Sequence, residues 1–446
     1  MSCSSLVFRL RDGGSLSSVQ THVSVLGLRH RTALVFCTSA FQESAGIDDV
    51  LVVGGGIAGA STGLAMHKLG LKVRVLEQSP SLRISGAALG VWTNGWRALE
   101  FLEVADNLRE KFTPLSGFEF YSAKDDKCLL NIDFKTVNNH VELRGVDRRM
   151  LLESLTNALP ADILLYDSHV VKVHRKRGCY PQAELKDGSL LQAKVIVGCD
   201  GIGSVVAKNL GLKEAHYAGY MGIRGVAMFP EGYTLKSVLS QSIGNGVRMG
   251  RFPLDSSRVY WFLVFNHPPD KVRDPSLVKE EALRLIQGWP EQLVEIVKRS
   301  PVESLSRAAI SDRWMWPWSL WKLHQCGVTV AGDAMHPVTP NLAQGGCTAM
   351  EDAVLLARIL SNAFNKLKER RLSVNEEMEQ IDHALGGYVA QRQKRMLGIA
   401  VKANLIGKVF QTEGDFFASV RNALLPRVIR ADAFVTSTLY DVRGLV

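Results

Sequence analysis

The hydrophobic positions of the chain fall into short, continuous runs that alternate with helical patterns. Residues 50–53 are all apolar, as in a strand that is covered on both faces. Residues 57–69 then read as a helix, and Gly70 is placed to end it. A second apolar run follows at 72–76. This order of strand, helix and strand predicts the first unit of a parallel α/β sheet.

The stretch 193–211 has the same order of strand, turn and helix. Its apolar strand ends at Asp200 and Gly201, and a helix is expected after them. Taken alone, this is an ordinary strand-to-helix turn in which the aspartate caps the helix.

The stretch 328–360 is a third unit of this kind, with an unusual turn. Its apolar run stops at Gly332 and Asp333, a loop rich in proline and glycine follows, and a helix begins near Thr348. A chain that only turned a corner would need far fewer special residues. We therefore expect this loop to contact a large, flat, anionic ligand.

The helix near Thr348 combines an apolar face with an acidic start. Glu351 and Asp352 are placed in its first turn, where the helix dipole favours negative charge. Its apolar face follows helical spacing and is predicted to be core. That face consists of Met350, Ala353, Val354, Ala357 and Leu360.

The rest of the chain is predicted to form strands and then helices. Residues 215–320 alternate between apolar and polar positions and include an aromatic triplet that starts at Tyr260. The tryptophan-rich segment 314–321 either lines a pocket or packs a sheet against a helix. Residues 388–411 read as a basic amphipathic helix that closes over the first domain, and attachment to a membrane surface is the alternative.

Composition changes this picture only at the amino terminus. Residues 1–46 contain nine serines, four arginines and only two acidic residues, and they show no packing period. This is the composition of an organelle transit peptide, for which we favour a plastid (chloroplast) over a mitochondrion. An untargeted tail on a cytoplasmic protein, or a misassigned start, is the alternative.

The remaining composition is that of an ordinary globular protein. A net charge of +9 suits anionic ligands such as dinucleotide phosphates, but it also fits a mildly basic surface. The seven cysteines are scattered and form no paired motif, so neither a disulfide framework nor a metal site is expected. No apolar run reaches the ~18 residues of a membrane span. No basic-aromatic pattern indicates nucleic-acid binding.

Gly54, Gly56 and Gly59 form the pattern G-x-G-x-x-G between the first strand and its helix. The first glycine allows a tight turn, the second lets the backbone approach a pyrophosphate, and the third lets the helix pack close to the strand. The helix N-terminus then offers N–H groups to the phosphates. Glu77, after the second strand, is placed to accept hydrogen bonds from a ribose. The unit predicts FAD or NAD, rather than NADP, in this site.

The three motifs together resemble the FAD-dependent monooxygenases of the p-hydroxybenzoate hydroxylase type, and among them the plant salicylate hydroxylase-like and zeaxanthin epoxidase-like enzymes. That family carries a glycine-rich first turn, a central Asp-Gly motif and a motif G-D-A-x-H-x-x-x-P, and all three occur here in order. The resemblance implies an α/β fold, in which a Rossmann-like FAD-binding domain carries an inserted β-sheet substrate domain and C-terminal helices. The implied segments are 1–46 (transit peptide or tail), 47–125 and 126–214 (FAD-binding domain, the second with some substrate-side sheet), 215–320 (substrate sheet), 321–365 (FAD-binding domain) and 366–446 (helical region).

The resemblance also implies which residues hold FAD. Asp333 would bind the ribityl and pyrophosphate region, and Arg148 would contact the cofactor before a helix. Arg224 would lie on the substrate side of the flavin as the candidate catalytic residue, with a plain surface position on a strand as the alternative. His336 is expected to pack or cap rather than to catalyse. The implied cofactor-binding set is Gly54, Gly56, Ile57, Ala58, Gly59, Glu77, Gly90, Arg148, Asp200, Gly201, Gly332, Asp333, Pro340, Gly345 and Gly346, with no metal ligand.

Three positions depart from the family pattern. Ala343 replaces a loop glycine, and if that position requires a positive φ the alanine costs about 1 kcal/mol. Cys347 replaces a common asparagine, and both changes concern how the flavin is positioned. Ala207 replaces an arginine at the end of the motif around Asp200, which the family links to FAD and to NAD(P)H. This third change concerns the handling of the pyridine nucleotide.

The reaction implied by the resemblance uses NAD(P)H and O₂ to hydroxylate a small aromatic substrate, with epoxidation of an isoprenoid-like olefin as the second choice. Oxygen transfer would pass through a flavin C4a-hydroperoxide, so no side chain need act as a nucleophile. The alternatives are an FAD-dependent reductase or dehydrogenase of the same fold, and a flavin-binding regulatory protein that has lost catalysis. The substrate, the choice between NADH and NADPH and the oligomeric state are left open.

Overall fold

The computed structural model describes residues 47–82, 88–138, 140–233, 236–270, 274–314, 323–428 and 435–444. Residues 47–446 form one unit of contacts. The interpretations of segment 1–46 and of the tryptophan-rich segment after Trp314 concern residues outside those described.

Strands and helices alternate along the described residues. The strands are β1 (Asp48–Val53), β2 (Val73–Leu76), β3 (Ala88–Trp92), β4 (Gly117–Ser122), β5 (Cys128–Asp133), β6 (Leu143–Asp147), β7 (Leu164–Leu165), β8 (Val170–His174), β9 (Gln182–Leu185), β10 (Leu190–Gly198), β11 (His216–Met228), β12 (Leu239–Ile243), β13 (Val247–Pro253), β14 (Arg258–Asn266), β15 (Ser306–Asp312), β16 (His324–Gln325) and β17 (Val328–Val330). The helices are α1 (Ile57–Lys68), α2 (Thr93–Phe101), α3 (Ala105–Arg109), α4 (Phe134–Val137), α5 (Arg148–Asn157), α6 (Val205–Asn209), α7 (Pro275–Leu285), α8 (Glu291–Lys298), α9 (Gly345–Lys368), α10 (Val374–Phe410) and α11 (Asp415–Val428).

The first sheet brings the three motif turns to one edge. Its strand order is β16-β17-β10-β1-β2-β7, and the pairs β17/β10, β10/β1, β1/β2 and β2/β7 are parallel. Val53 pairs with Gly198, and Gly198 pairs with Val330, so these strands end at the same level. In an open parallel sheet, ligands bind beyond the carboxyl ends of the strands. The predicted strand–helix–strand unit is confirmed, and α1 ends at Lys68 with Gly70 at a φ of +76°.

Two expectations about the start of α9 were wrong. Helix α9 begins at Gly345 rather than near Thr348, because the N–H of Thr348 already donates to the carbonyl of Gln344 at 2.8 Å. Glu351 and Asp352 consequently lie in the second turn and are fully buried. At α6 the N-cap residue is Ser204, and the Asp200 carboxylate also accepts hydrogen bonds from the N–H groups of Val205 and Val206 in the first turn, so the capping role of this aspartate is present.

The second sheet contains the strands β11 to β15, which lie within residues 215–320, and two further strands, β4 and β5. Its order is β15-β11-β14-β13-β12-β4-β5, in which only β12 and β4 run parallel. Strands β4 and β5 form a hairpin, so the expected boundary between residues 125 and 126 falls in its turn. The sheet has two buried faces: Tyr260 belongs to the main core, whereas Trp261 packs into a smaller core against α7 and α8.

Helix α10 packs into the main core along most of its length. It starts with a capping box in which Ser373 and Glu376 satisfy each other's backbone N–H groups. Its inner face is buried at Leu385, Met396, Ala403 and Phe410. This packing matches the predicted closing helix, which begins fourteen residues earlier than the basic stretch 388–411 suggested. None of the helices in the described ranges is long and apolar enough to cross a membrane.

Candidate active site

The glycines of the first turn have the geometry that a nucleotide-binding turn requires. Gly54 has a φ of +103°, and a Cβ there would lie 2.6 Å from the carbonyl oxygen of Cys199. A Cβ on Gly59 would lie 1.7 Å from the carbonyl oxygen of Gly54. Around Gly56, by contrast, no protein atom lies within 4 Å of the Cβ position. The turn is therefore closed on its protein side and open at the N-terminus of α1, where Ile57 begins the helix.

Glu77 follows β2 and is held against this turn. Its Oε2 accepts a hydrogen bond from the N–H of Gly55 at 2.8 Å, and its Oε1 accepts one from the N–H of Ser79 at 2.9 Å. The side chain is half-buried. A carboxylate anchored in this way retains lone pairs that suit the hydroxyls of a ribose.

Asp333 lies in a recess beyond the end of β17. The residue is exposed to solvent, yet protein surrounds its carboxylate closely enough that burial raises its pKa, while the positive charges of Arg148 and Arg313 act in the opposite direction. Ala58 of α1 lies next to the turn that contains Asp333, because a Cβ added to Gly332 would lie 2.9 Å from the Cβ of Ala58. The structure thus brings the first and third motifs together.

The charges of Arg224 and Asp333 both act on Arg148. Burial lowers the pKa of Arg148, and so does the nearby charge of Arg224, whereas Asp333 raises it. Arg224 projects from β11 of the second sheet, where its Nε donates to Ser306 Oγ at 2.9 Å. The side chain is exposed. Its charge acts on both Arg148 and Tyr260, and its place beside a flavin stays a prediction.

Asp200 is engaged by its own loop. Its carboxylate accepts hydrogen bonds from Ser204 Oγ and from the N–H of Val205 at 2.7 Å. Burial raises the pKa of this carboxyl, and these hydrogen bonds oppose that effect. The geometry gives Asp200 a role in ordering the start of α6, next to Gly201 at a φ of +77°. A direct contact of Asp200 with a cofactor stays a prediction.

The loop before α9 approaches β3 closely. Pro340 is exposed at the start of a short 3-10 turn. A Cβ on Gly90 would lie 3.4 Å from Ala343 Cβ, and one on Gly346 would lie 2.6 Å from Leu89 Cδ1. No protein atom lies within 4 Å of the Cβ position of Gly345. The N-terminus of α9 therefore presents backbone without side-chain bulk.

Two of the three departures from the family pattern have clear structural readings. Ala343 adopts a left-handed conformation, with a φ of 49° and a ψ of 37°, so the suspected strain is present. Cys347 is buried and accepts a hydrogen bond from the N–H of Trp92 at 3.4 Å, and burial raises the pKa of its thiol to about 12. It is a packing residue rather than a reactive thiol. Ala207 is buried in α6 and donates its N–H to Ser204 Oγ at 2.8 Å.

Ala343→Gly is expected to raise the free energy of unfolding by up to about 1 kcal/mol, because glycine adopts the left-handed region without a Cβ clash. Ala158→Gly is the matched control, since Ala158 is exposed and right-handed at the end of α5. The control should lose stability through the greater backbone entropy of glycine in the unfolded chain. Denaturant unfolding of both variants measures the difference. A loss of stability in Ala343→Gly would contradict the assignment of strain.

Sequence reasoning missed a group of charged side chains behind this loop. Asp352 accepts hydrogen bonds from the N–H of Gly332 at 2.7 Å and from His336 at 2.6 Å, and it pairs with Arg392 of α10. His336 is therefore buried and hydrogen-bonded to Asp352, which fits a packing role. The sequence signal that could have revealed this group is the pair of acids on the apolar side of α9. Buried carboxylates require partners, so such a pair predicts positive charges elsewhere in the chain.

The cleft fits FAD. It offers an open glycine turn at a helix N-terminus for the diphosphate, an anchored carboxylate after β2 for the ribose and a second carboxylate after β17, at the same edge of the sheet. Arg148 adds a positive charge on the same side. We conclude that the described residues can hold the dinucleotide FAD.

Comparison with known proteins agrees with this geometry. The family described as "FAD binding domain" matches residues 48–380. Monooxygenase 2 of Arabidopsis thaliana is 35% identical over 388 residues, 86% of this chain and 95% of its own. Chloroplastic zeaxanthin epoxidase of Prunus armeniaca is 29% identical over 81% of this chain and 56% of its own. The crystal structure of Klebsiella pneumoniae HpxO with FAD and uric acid has a TM-score of 0.75 at 22% identity, covering 88% of this chain and 96% of that one. The chain belongs to the family of FAD-dependent monooxygenases, as its three motifs predicted.

Proposed function

We propose that this protein uses FAD, reduced by NADH or NADPH, to insert one oxygen atom of O₂ into a small organic substrate. The observation that carries the proposal is the link between the loop after Asp333 and a separate sheet: Asn341 Nδ2 of that loop donates to Tyr220 Oη of β11 at 3.2 Å, which joins the strand ends of a dinucleotide-type sheet to the second sheet. A simple reductase does not need a second sheet beside its flavin, whereas an oxygenase must enclose a substrate there and exclude water.

The protein's own groups would bind, orient and shield. FAD, when bound, supplies the redox chemistry: it accepts a hydride and activates O₂. The first turn and the N-terminus of α1 would bind the diphosphate, and Glu77 and Asp333 would accept hydrogen bonds from its ribose and ribityl hydroxyls. The N-terminus of α9 would direct N–H groups at negative charge that develops on the ring. Pro340 and Gly345 would edge the ring without bulk.

The inner face of the second sheet would hold the substrate. Tyr260 lies in the core on that side, and Phe262 packs against the same core. Arg224 adds a positive charge at the cleft. Aromatic faces beside one cation suit a small aromatic substrate, whose hydroxylation is our first choice, and an isoprenoid-like olefin, whose epoxidation is the second. Arg224 would then contact the substrate.

A direct test mixes the flavin-loaded protein with NADH or NADPH in the absence of O₂, and then in air with a panel of small aromatic acids and isoprenoid olefins. We expect the flavin to be reduced and at least one compound to accelerate oxidation of the pyridine nucleotide. Rapid reduction that no compound stimulates would favour a reductase. No reduction by either nucleotide would favour a flavin-binding protein without catalysis.

We also propose that residues 1–46 direct the protein to a plastid. Their composition supports this, and one relative, the zeaxanthin epoxidase, is named as chloroplastic. Fusing residues 1–46 to a fluorescent protein should place the signal in plastids of leaf cells, while a fusion that begins at Ile47 should not enter them. Signal in mitochondria or throughout the cytosol from the first fusion would overturn the proposal.

A further inference from the structure

Five charged or titratable side chains behind the cleft form what we call the Arg392 cluster. Its members are His336, Glu351, Asp352, Arg392 and Arg395. Four of these side chains are no more than 2% exposed, and that of Arg395 is 11% exposed. Ions in the interior are costly unless every charge is paired, and removing one partner leaves the other uncompensated. The positions of these groups are therefore tightly interdependent.

Asp352 is the member of the cluster that contacts the turn from Gly332 to His336. Its Oδ2 accepts hydrogen bonds from the N–H of Gly332 at 2.7 Å and from His336 Nε2 at 2.6 Å, and its Oδ1 accepts one from Arg392 Nε. Burial alone would raise the pKa of this carboxyl, but Arg392 and His336 hold it below its ordinary value. The carboxylate is thus kept ionised with each oxygen committed to a partner.

Arg392 connects both acids of α9 to α10. Besides Asp352, it donates to Glu351 Oε2 at 2.8 Å and to the carbonyl of Thr348 at 3.2 Å. Arg395 adds a second hydrogen bond to Glu351, at 2.8 Å from Oε1. Two guanidinium groups therefore balance two carboxylates. Without Arg392, Glu351 would still be paired with Arg395, whereas Asp352 would lose its arginine partner.

The residues that Asp352 holds lie on both sides of Asp333. Gly332 precedes it, and His336 follows three residues later, with its N–H donating to the carbonyl of Gly332 at 2.9 Å. Arg313 fixes the outer side of the same turn by donating to the carbonyl of Ala334 at 2.7 Å. The backbone around Asp333 is consequently set by two buried side chains, and one of these, Asp352, depends on Arg392.

We propose that Arg392 is a positioning residue for the cofactor: through Asp352 it fixes the turn from Gly332 to His336 and so aims the Asp333 carboxylate into the cleft. The helix that carries Arg392 lies outside the three sequence motifs. The proposal rests on FAD binding by this family, not on the oxygen chemistry proposed above. A failure of that chemistry would leave it intact.

The test compares Arg392→Met with Arg307→Met. Arg307 of β15 is a matched control, because its side chain is 1% exposed and pairs with Glu281 and Asp270. It packs over Phe265 in the smaller core of the second sheet. Apo-protein is titrated with FAD at a temperature well below each variant's melting midpoint. Both variants should melt earlier than the parent. Only Arg392→Met should bind FAD about tenfold or more weakly.

A second titration, in protein that already carries Asp333→Ala, separates an effect of Arg392 on the position of Asp333 from an effect on the stability of the protein. If Arg392 acts through Asp333, adding Arg392→Met there should weaken FAD binding by less than about twofold, since the group it aims is already gone. The same fold-loss in both backgrounds would overturn the proposal. An equal loss of affinity in Arg307→Met would overturn it as well.

Arg392→Lys serves if the methionine variant does not fold. Lysine keeps the charge but cannot bridge two carboxylates with a planar fork. Hydrogen exchange at the backbone N–H groups of Gly332 and His336 should then accelerate relative to Arg307→Lys, in parallel with weaker FAD binding. Unchanged exchange at these two groups together with parental FAD affinity would refute the positioning role.

Discussion

Gly59→Ala is expected to destabilise the protein by on the order of 3 kcal/mol or more and to abolish stable flavin binding. The added Cβ would lie 1.7 Å from the carbonyl oxygen of Gly54, a backbone atom that cannot move without opening the turn. The cost therefore falls on the apo-protein before any cofactor is present. The melting midpoint of the apo-protein measures it, and a midpoint equal to that of the parent would contradict the geometry of the turn.

Gly56→Ala separates folding from binding at the same turn. Apart from its chain neighbours, no protein atom lies within 4 Å of its Cβ position, so the melting midpoint of the apo-protein should fall only by what alanine costs relative to glycine at a helix N-cap. The methyl group would instead occupy the space where the pyrophosphate must approach, and FAD affinity should fall sharply. Gly387→Ala is the control, because Gly387 is exposed in the middle of α10 with no neighbour within 4 Å. Gly387→Ala should stabilise the protein by up to about 1 kcal/mol without changing its affinity for FAD.

Asp333→Ala is expected to weaken FAD binding by about 1.5–3 kcal/mol, or roughly 10- to 150-fold in dissociation constant. The substitution removes a charged acceptor of hydrogen bonds from the bottom of the cleft while leaving the Arg392 cluster intact. Because protein atoms around the Asp333 carboxylate disfavour its charged form and raise its pKa, the apo-protein should not lose stability. Flavin retained after gel filtration, followed by titration of the apo-protein, measures the change.

Glu77→Ala should weaken FAD binding by a similar amount, because it removes the other ribose partner. Asp187→Ala is the control for both variants: Asp187 is an exposed turn residue between β9 and β10 that accepts a hydrogen bond from the N–H of Ser189. Its FAD affinity should change by less than about twofold. Full flavin content in both Glu77→Ala and Asp333→Ala would mean that the cofactor lies elsewhere.

The parts of the fold that the sequence predicted are those with local signals. Strand β1, helix α1 and strand β2 are read from one apolar run, one glycine turn and a second apolar run. The expectation of a positive φ at Ala343 came from the family resemblance, in which a glycine occupies this loop position. Its φ of 49° confirms that reading. The start of α9 was misplaced because two glycines suggest a loop, although here they are the first turn of the helix.

The parts that the sequence did not predict depend on distant partners. Nothing near Glu351 and Asp352 indicates that their counter-charges come from Arg392 and Arg395, some forty residues later. A position in the first turn was the simplest local explanation for two acids near the start of a helix, because the helix dipole favours negative charge there. Ion pairs between distant residues arise from tertiary packing and leave no periodic signal.

The central claim, oxygen insertion by this protein with FAD, is tested most directly with isotopically labelled oxygen. The flavin-loaded protein is incubated with ¹⁸O₂, the preferred pyridine nucleotide and the compound that most stimulates its oxidation, and the products are analysed by mass spectrometry. We predict one ¹⁸O atom in the organic product, and none from ¹⁸O-labelled water. Consumption of the nucleotide with all ¹⁸O recovered as hydrogen peroxide and no labelled product would contradict the account.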